Sequence, residues 1–183
     1  MKVMGKWNFP QEGCMDKDNG MYFQTMNTKS LKERLAKDDI IIIPVGSTEC
    51  HAAHSPFGED TYLVTRMAEQ VAAKTGCTIA QPIWYGSHPY QHVGMPGTVI
   101  IPEFVFIDYL IAVIAGLWNA GFRKQILLNG HAQEYVIPNA IHMFEKKYKV
   151  PAVIANVNWP FAAAQYLKDK EQQKIHVDKQ YLH

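Results

Sequence analysis

Cysteine is scarce in this chain: Cys14, Cys50 and Cys77 are the only three in 183 residues. They form no metal-type pair, and any disulfide scheme leaves one over, so free thiols in a reducing cytoplasm are expected. Net charge is equally thin, at +1 from 18 basic and 17 acidic residues. No strong field draws the chain to nucleic acid or to an acidic membrane, and neither is expected as a partner. The longest basic cluster, Glu145-Lys146-Lys147-Tyr148-Lys149, reads as the C-terminal end of a helix, where cations are favoured. The first ten residues carry no apolar run of the kind a secretory signal needs. The apolar stretch Leu110–Leu117 is too short to span a bilayer. There is no internal repeat, no low-complexity linker and no phosphate loop, since Asn129-Gly130-His131 is not followed by Lys-Ser/Thr.

What is present is the composition of a globular domain, 48% hydrophobic and 19% charged. Residues 1–27 have no clear period and read as an irregular arm, whose Trp7, Phe9, Tyr22 and Phe23 offer apolar surface to a neighbour. Residues 28–183 read as one domain. Thr28 or Ser30 can cap a short helix through Lys37, with Ser30 and Glu33 at capping-box spacing. Asp39–Val45 contains four consecutive isoleucines, which suit a strand buried on both faces. Leu63, Met67 and Val71 form a helical stripe over Thr61–Lys74. Cys77–Ile83 reads as a strand, and the Gly- and Pro-rich Trp84–Thr98 as a loop. A helix runs from Pro102 to Ala120 and ends at Gly121. Strands over Gln125–Leu128 and Ala152–Asn156 alternate with helices over Glu134–Tyr148 and Trp159–Lys170. This order implies βαβ crossovers and a mostly parallel sheet, an α/β fold.

Two loops carry the chemistry, and each follows a strand. One runs from Gly46 to Asp60 and gathers Glu49, His51, His54, Glu59 and Asp60; the other is Asn129-Gly130-His131. Sites in parallel α/β sheets form beyond the carboxyl ends of the strands, so the two loops meet if their strands are neighbours. Carboxylate oxygen and imidazole nitrogen are the usual ligands of zinc, manganese and iron. Glu49 and His51 lie two apart, which points both side chains the same way along an extended segment. A carboxylate such as Asp60 can bridge two ions. The competing reading is a polar loop whose charges are merely solvated, and His131 after a second buried strand weighs against it. Cys50, between two proposed ligands, points away from them and reads as inert.

Pro44-Val45-Gly46-Ser47, Glu49, His51, His54, Pro56 and Asp60 together resemble the first signature of the creatininase (creatinine amidohydrolase) family. Met95-Pro96-Gly97-Thr98 resembles its Pro-Gly-Thr loop, and Asn129-Gly130-His131 its second signature. Gly58-Glu59-Asp60-Thr61, Trp84 to Tyr90, and Gln133-Glu134-Tyr135 are similar to the branch that hydrolyses 3-dehydro-scyllo-inosose, a diketo-inositol. The resemblance implies a three-layer sandwich around a mostly parallel sheet, one or two divalent ions (Zn, Mn or Fe), and a homo-oligomer, often a hexamer. It implies that Glu49, Asp60 and His131 hold one ion, and that His51 and a bridging Asp60 hold a second. The family's further carboxylate falls at Gln133, a weak ligand, with Glu134 one residue out of register and Asp178 in a later, partial likeness. Glu134 is therefore included among the metal ligands. The chain is also short at its C-terminus relative to the family, and position 52, glycine in the family, is Ala52.

The implied activity is metal-dependent hydrolysis: water activated by the ion attacks a carbonyl of a small polar cyclic substrate, a diketo-inositol or a creatinine-like cyclic amide. A general acid must then protonate the leaving atom. His92, just before the Pro-Gly-Thr loop, and His54 are the catalytic candidates; Trp84, Tyr85 and His88 are candidates for binding substrate. The alternative is a truncated or degenerate relative that binds metal or assembles with partners without catalysis.

Overall fold

The structure, a computed structural model, describes residues 21–159. Most of the N-terminal arm, the helix expected beyond Trp159, and Asp178 lie outside them. A short 3-10 turn, Phe23–Thr25, leads into α1 (Thr28–Leu35), β1 (Ile40–Val45), α2 (Glu59–Thr75), β2 (Thr78–Ile79), a second 3-10 turn at Tyr90–His92, α3 (Glu103–Ala120), β3 (Lys124–Asn129), α4 (Ile137–Tyr148) and β4 (Val153–Asn158). The strands form one sheet in the order β2-β1-β3-β4, every pair parallel.

The isoleucine run explains the layering. Alternate residues of a strand face opposite sides, so Ile41, Ile43 and Val45 enter one core with Phe106, Leu110 and Ile114 of α3 and Ile137 and Phe144 of α4. Ile42 enters the other with Val64, Ala68 and Ala72 of α2. Helices thus cover both faces, giving the three-layer sandwich. Burying each such aliphatic side chain contributes roughly 1.5–3 kcal/mol.

The elements differ from the expected ones in instructive ways. Asn27, not Thr28 or Ser30, caps α1: its side chain accepts from the amides of Lys29 and Ser30 at 2.9 and 3.0 Å, and Ser30 returns the bond from the third position. The buried stripe of α2 is Val64, Ala68 and Ala72, while Val71 is exposed. Small alanines bring this helix close to the sheet, which the larger Leu63, Met67 and Val71 would not. The strand expected over Cys77–Ile83 is two residues long, followed by an isolated bridge between Val45 and Ile83; Pro82 removes a ladder donor in between. Helix α4 starts at Ile137 rather than Glu134, with Pro138 in its first turn, where a missing N–H costs nothing. Helix α3 extends well beyond Leu110–Leu117, and by length and mean hydropathy of 1.5 it is long and apolar enough to cross a membrane; here one stripe of it packs into the core. Tyr22 of the arm is buried against the chain itself, pairing with Ile79 and hydrogen-bonding Glu69.

Because β1 and β3 are neighbours, the loops that follow them leave the same sheet edge side by side. The first residue beyond each strand is glycine, and each faces the start of α2. A Cβ on Gly46 would lie 2.5 Å from Thr61 Cα, and one on Gly130 would lie 2.8 Å from Asp60 O and 2.6 Å from Val64 Cγ1. The absent side chains let the first turn of α2 approach the strand ends. Gly130→Ala is expected to destabilise the fold by about 2 kcal/mol, the usual cost of overpacking. Urea denaturation measures it; an unchanged midpoint would mean that α2 does not sit this close.

Candidate metal centre

Glu49 and His51 come from the loop after β1, and Asp60 from the first turn of α2. His88 and His92 come from the loop beyond the Ile83 bridge, and His131 from the turn after β3. The structure brings all six together. His131 Nδ1 lies 2.9 Å from Glu49 Oε1 and 3.1 Å from Asp60 Oδ2. His51 Nε2 is 3.6 Å from Glu49 Oε1 and 3.4 Å from Asp60 Oδ1. His88 Nε2 and His92 Nδ1 approach Glu49 Oε2 at 3.5 and 3.2 Å. Asp60 also benefits from its place at a helix N-terminus, where the dipole favours negative charge.

Three of the imidazoles are aimed from behind by backbone carbonyls. A carbonyl only accepts, so the facing ring nitrogen donates: His131 Nε2 to Ser87 O at 3.1 Å, His88 Nδ1 to Gly86 O at 3.2 Å, and His51 Nδ1 to Glu49 O at 3.3 Å. In each ring the other nitrogen faces the carboxylates. Metal-binding histidines are held in this way, with the far N–H on a carbonyl that fixes the tautomer. His88 Nε2 is buried and makes no hydrogen bond. The donor set therefore fits a divalent cation. Two groups have ligand atoms all within 4.8 Å of one another, Glu49–His88–His131 and Glu49–His51–Asp60. Glu49 is common to both, whereas the resemblance gave the shared role to Asp60; Asp60 nonetheless touches both His51 and His131.

The remaining expected residues lie elsewhere. His54 is exposed and Glu134 half-buried, and neither is in a metal-capable group among the described residues. Trp84 and Tyr85 line an apolar groove of about 540 Å³ with Ile101, Val105, Phe106 and Tyr109, and none of its lining residues belongs to the cluster. Sequence reasoning missed other contributors. Ser47 Oγ donates to Asp60 Oδ2 at 2.8 Å. Asn129 Nδ2 donates to His131 O at 2.7 Å, and Thr98 Oγ1 accepts from Cys50 N at 3.0 Å, tying the Pro-Gly-Thr loop to the ligand loop. Ala52 has φ 56°, a left-handed conformation that costs an L-residue about 1–2 kcal/mol. Part of this is offset by the unfolded-state entropy glycine would add. Ala52→Gly is expected to leave stability unchanged or raise it by up to about 1 kcal/mol, read as an upward shift in Tm; a clear fall would deny the strain.

The charges explain how the cluster tolerates burial. Burial alone would raise the Glu49 pKa, but the hydrogen bond and charge of His131, with help from Asp60 and His88, hold it at about 2. Burial would lower the His131 pKa, yet its bonds to Asp60 and Glu49 push it up to about 9. Burial and the His131 charge bring His88 down to about 4 against the pull of Glu49. Without metal, a proton on His131 supplies the positive charge between the two carboxylates.

The fold and site together define an α/β protein with a carboxylate–imidazole donor cluster at the carboxyl ends of adjacent parallel strands. The family model for creatininase (creatinine amidohydrolase) matches residues 24–181, and the chain belongs to that family. It is 64% identical over 158 residues to the 3-dehydro-scyllo-inosose hydrolase of Thermotoga maritima, covering 86% of this chain and 51% of that protein. It thus spans about half the length of that curated relative. Among solved structures, creatinine amidohydrolase (creatininase) superposes with a TM-score of 0.73 at 22% identity, over 82% of this chain and 64% of the other. That likeness speaks to the fold. Further creatininase structures with the same TM-score of 0.73 are named for manganese and for a zinc–zinc form.

The pKa shifts predict a stability optimum for metal-free protein. The folded His131 pKa of about 9 lies above the ordinary 6.5, so its contribution is complete below pH 6.5 and lost as pH rises through 9. The folded His88 pKa of about 4 lies below 6.5, so its contribution is present above 6.5 and lost as pH falls through 4. Glu49 adds a loss as pH falls from 4.5 through about 2. Tm measured in chelator should peak near pH 6.5; a steady rise to pH 9 would mean that His131 is not protonated there.

Proposed function

We propose that this chain is a divalent-metal-dependent hydrolase that opens a carbonyl-containing ring in a small polar molecule, a diketo-inositol of the kind its Thermotoga maritima relative is named for. The observation that carries the reading is the set of three imidazoles, each held on a backbone carbonyl and turned toward Glu49 or Asp60. In the proposal Glu49, His51, Asp60, His88 and His131 hold zinc, manganese or iron, as one ion or two around Glu49. When bound, such an ion lowers the pKa of water from about 16 toward about 7 and polarises a substrate carbonyl.

The chain's own residues supply the rest. Ser47 fixes one oxygen of Asp60 and leaves the other toward His51. His92, 3.2 Å from Glu49 Oε2, is placed to hold a proton at Nδ1 or Nε2 and deliver it to the leaving atom, with exposed His54 in reserve at the loop surface. The aromatic groove at Trp84 and Tyr85 is given a flanking part in holding substrate, and Glu134 no metal contact. A homo-oligomer in the cytoplasm, with Cys50 and Cys77 as free thiols, completes the proposal.

Protein purified without chelator is expected to hold one or two transition ions per chain, and His131→Ala to lose most of them. Zinc added to metal-free protein at pH 7 should release about one proton, because a ligand histidine must be deprotonated. Calorimetry in two buffers of different ionisation heat reads that proton. Turnover of a diketo-inositol but not of creatinine would support the stated substrate, and the reverse would replace it with a cyclic amide. Full metal loading without turnover of either would favour a binding role over catalysis.

A further inference from the structure

The side chain of Gln133, two residues after His131, is as buried as any among the described residues, at 0% exposure. Its amide is consumed by three partners on three different segments of the chain. Nε2 donates to Gly46 O at 3.2 Å, just beyond β1, and to Asn129 Oδ1 at 3.0 Å, at the end of β3. Oε1 accepts from Ser87 N at 3.1 Å, in the loop beyond the Ile83 bridge. An amide nitrogen has two protons to give, and both are used. The partners also fix which way the amide points, since Gly46 O can only accept and Ser87 N can only donate.

Each partner in turn aims part of the cluster. Ser87, held at its amide by Gln133, receives His131 Nε2 at its carbonyl. Asn129, whose Oδ1 accepts a hydrogen bond from Gln133, holds the His131 main chain at both O and N. Gly86, whose carbonyl orients His88, lies so close that a Cβ there would sit 2.6 Å from Gln133 Oε1. We propose that Gln133 is a positioning residue, a three-way clip that sets the angle of His131 and His88 from behind and does not itself bind metal. This deepens, and rests on, the reading of the cluster as a metal site.

The test compares Gln133→Met with a matched control. Gln125 is equally buried, and its Nε2 donates to Ile114 O and Phe122 O, away from the cluster. Gln125→Met should lower Tm and leave zinc affinity within about twofold. Gln133→Met should weaken zinc, measured by chelator competition well below Tm, by about tenfold or more, the usual effect of losing a group that orients a ligand. Equal affinity in Gln133→Met and wild type, or equal weakening in the control, would overturn the proposal. Hydrogen exchange on metal-free protein reads the clip without metal. Exchange should quicken over residues 46–51 and 84–92 in Gln133→Met alone, and unchanged protection there would also overturn it. Should Gln133→Met not fold, Gln133→Glu keeps the size and the acceptor for Ser87 but turns a donor toward Gly46 O and Asn129 Oδ1 into an acceptor. It should bind zinc more weakly with no extra equivalent, and a gained ion would show that position 133 faces the metal. Absence of zinc binding in wild type would sink the metal reading, while the exchange result would still decide the clip.

Discussion

Everything at the sheet's carboxyl edge depends on the burial of one carboxylate, Glu49, beside a second, Asp60. An ionised carboxylate removed from water costs several kcal/mol unless positive charge and hydrogen bonds replace the solvent. A second carboxylate beside it adds repulsion that positive charge between the two offsets. The protein surrounds Glu49 with the imidazoles of His131, His92, His88 and His51 at 2.9 to 3.6 Å. In the metal-free state a shared proton on His131 meets the need. A divalent ion would bring two positive charges to the same place, where the His131 proton brings one. The glycines at positions 46 and 130 serve the same constraint, since without their close contact with α2 Asp60 would not arrive.

The framework was legible in the sequence because local pattern dictates it. Four isoleucines in a row suit a strand buried on both faces, and Gly121, which takes φ 120°, ends α3. Glu49, His51 and His131 each lie a few residues beyond a strand end, and Asp60 closes the first of these loops at the start of α2, so the four were readable as candidate donors from position and residue type. The misjudged elements follow from competition that no local window contains. Pro82 cannot donate to the ladder, and Pro44 O of β1 takes its bond from Ile83 N instead. The buried face of α2 rotated to its alanines because the helix must come close enough to deliver Asp60.

The supporting polar residues were illegible for a different reason. Whether a glutamine or a serine is buried depends on which distant loops close over it. Gln133 reads from sequence as a poor ligand; in the fold it is bonded to residues 46, 87 and 129. His88 and His92 sit in a Gly- and Pro-rich loop with no period, so nothing local says that they turn toward Glu49. The aromatic pair Trp84 and Tyr85 shows the converse, residues that invite a pocket role by type and open instead on a groove apart from the donors.

The most direct test is a crystal of protein grown with manganese or zinc, examined by anomalous scattering. Density is expected within coordination distance of Glu49, about 2.0–2.2 Å for zinc to carboxylate oxygen, flanked by His131 and His88, by His51 and Asp60, or by both sets. Density elsewhere, or an empty cluster with Glu49 still bonded directly to His131 at saturating metal, would contradict the claim that the buried carboxylates exist to hold a cation.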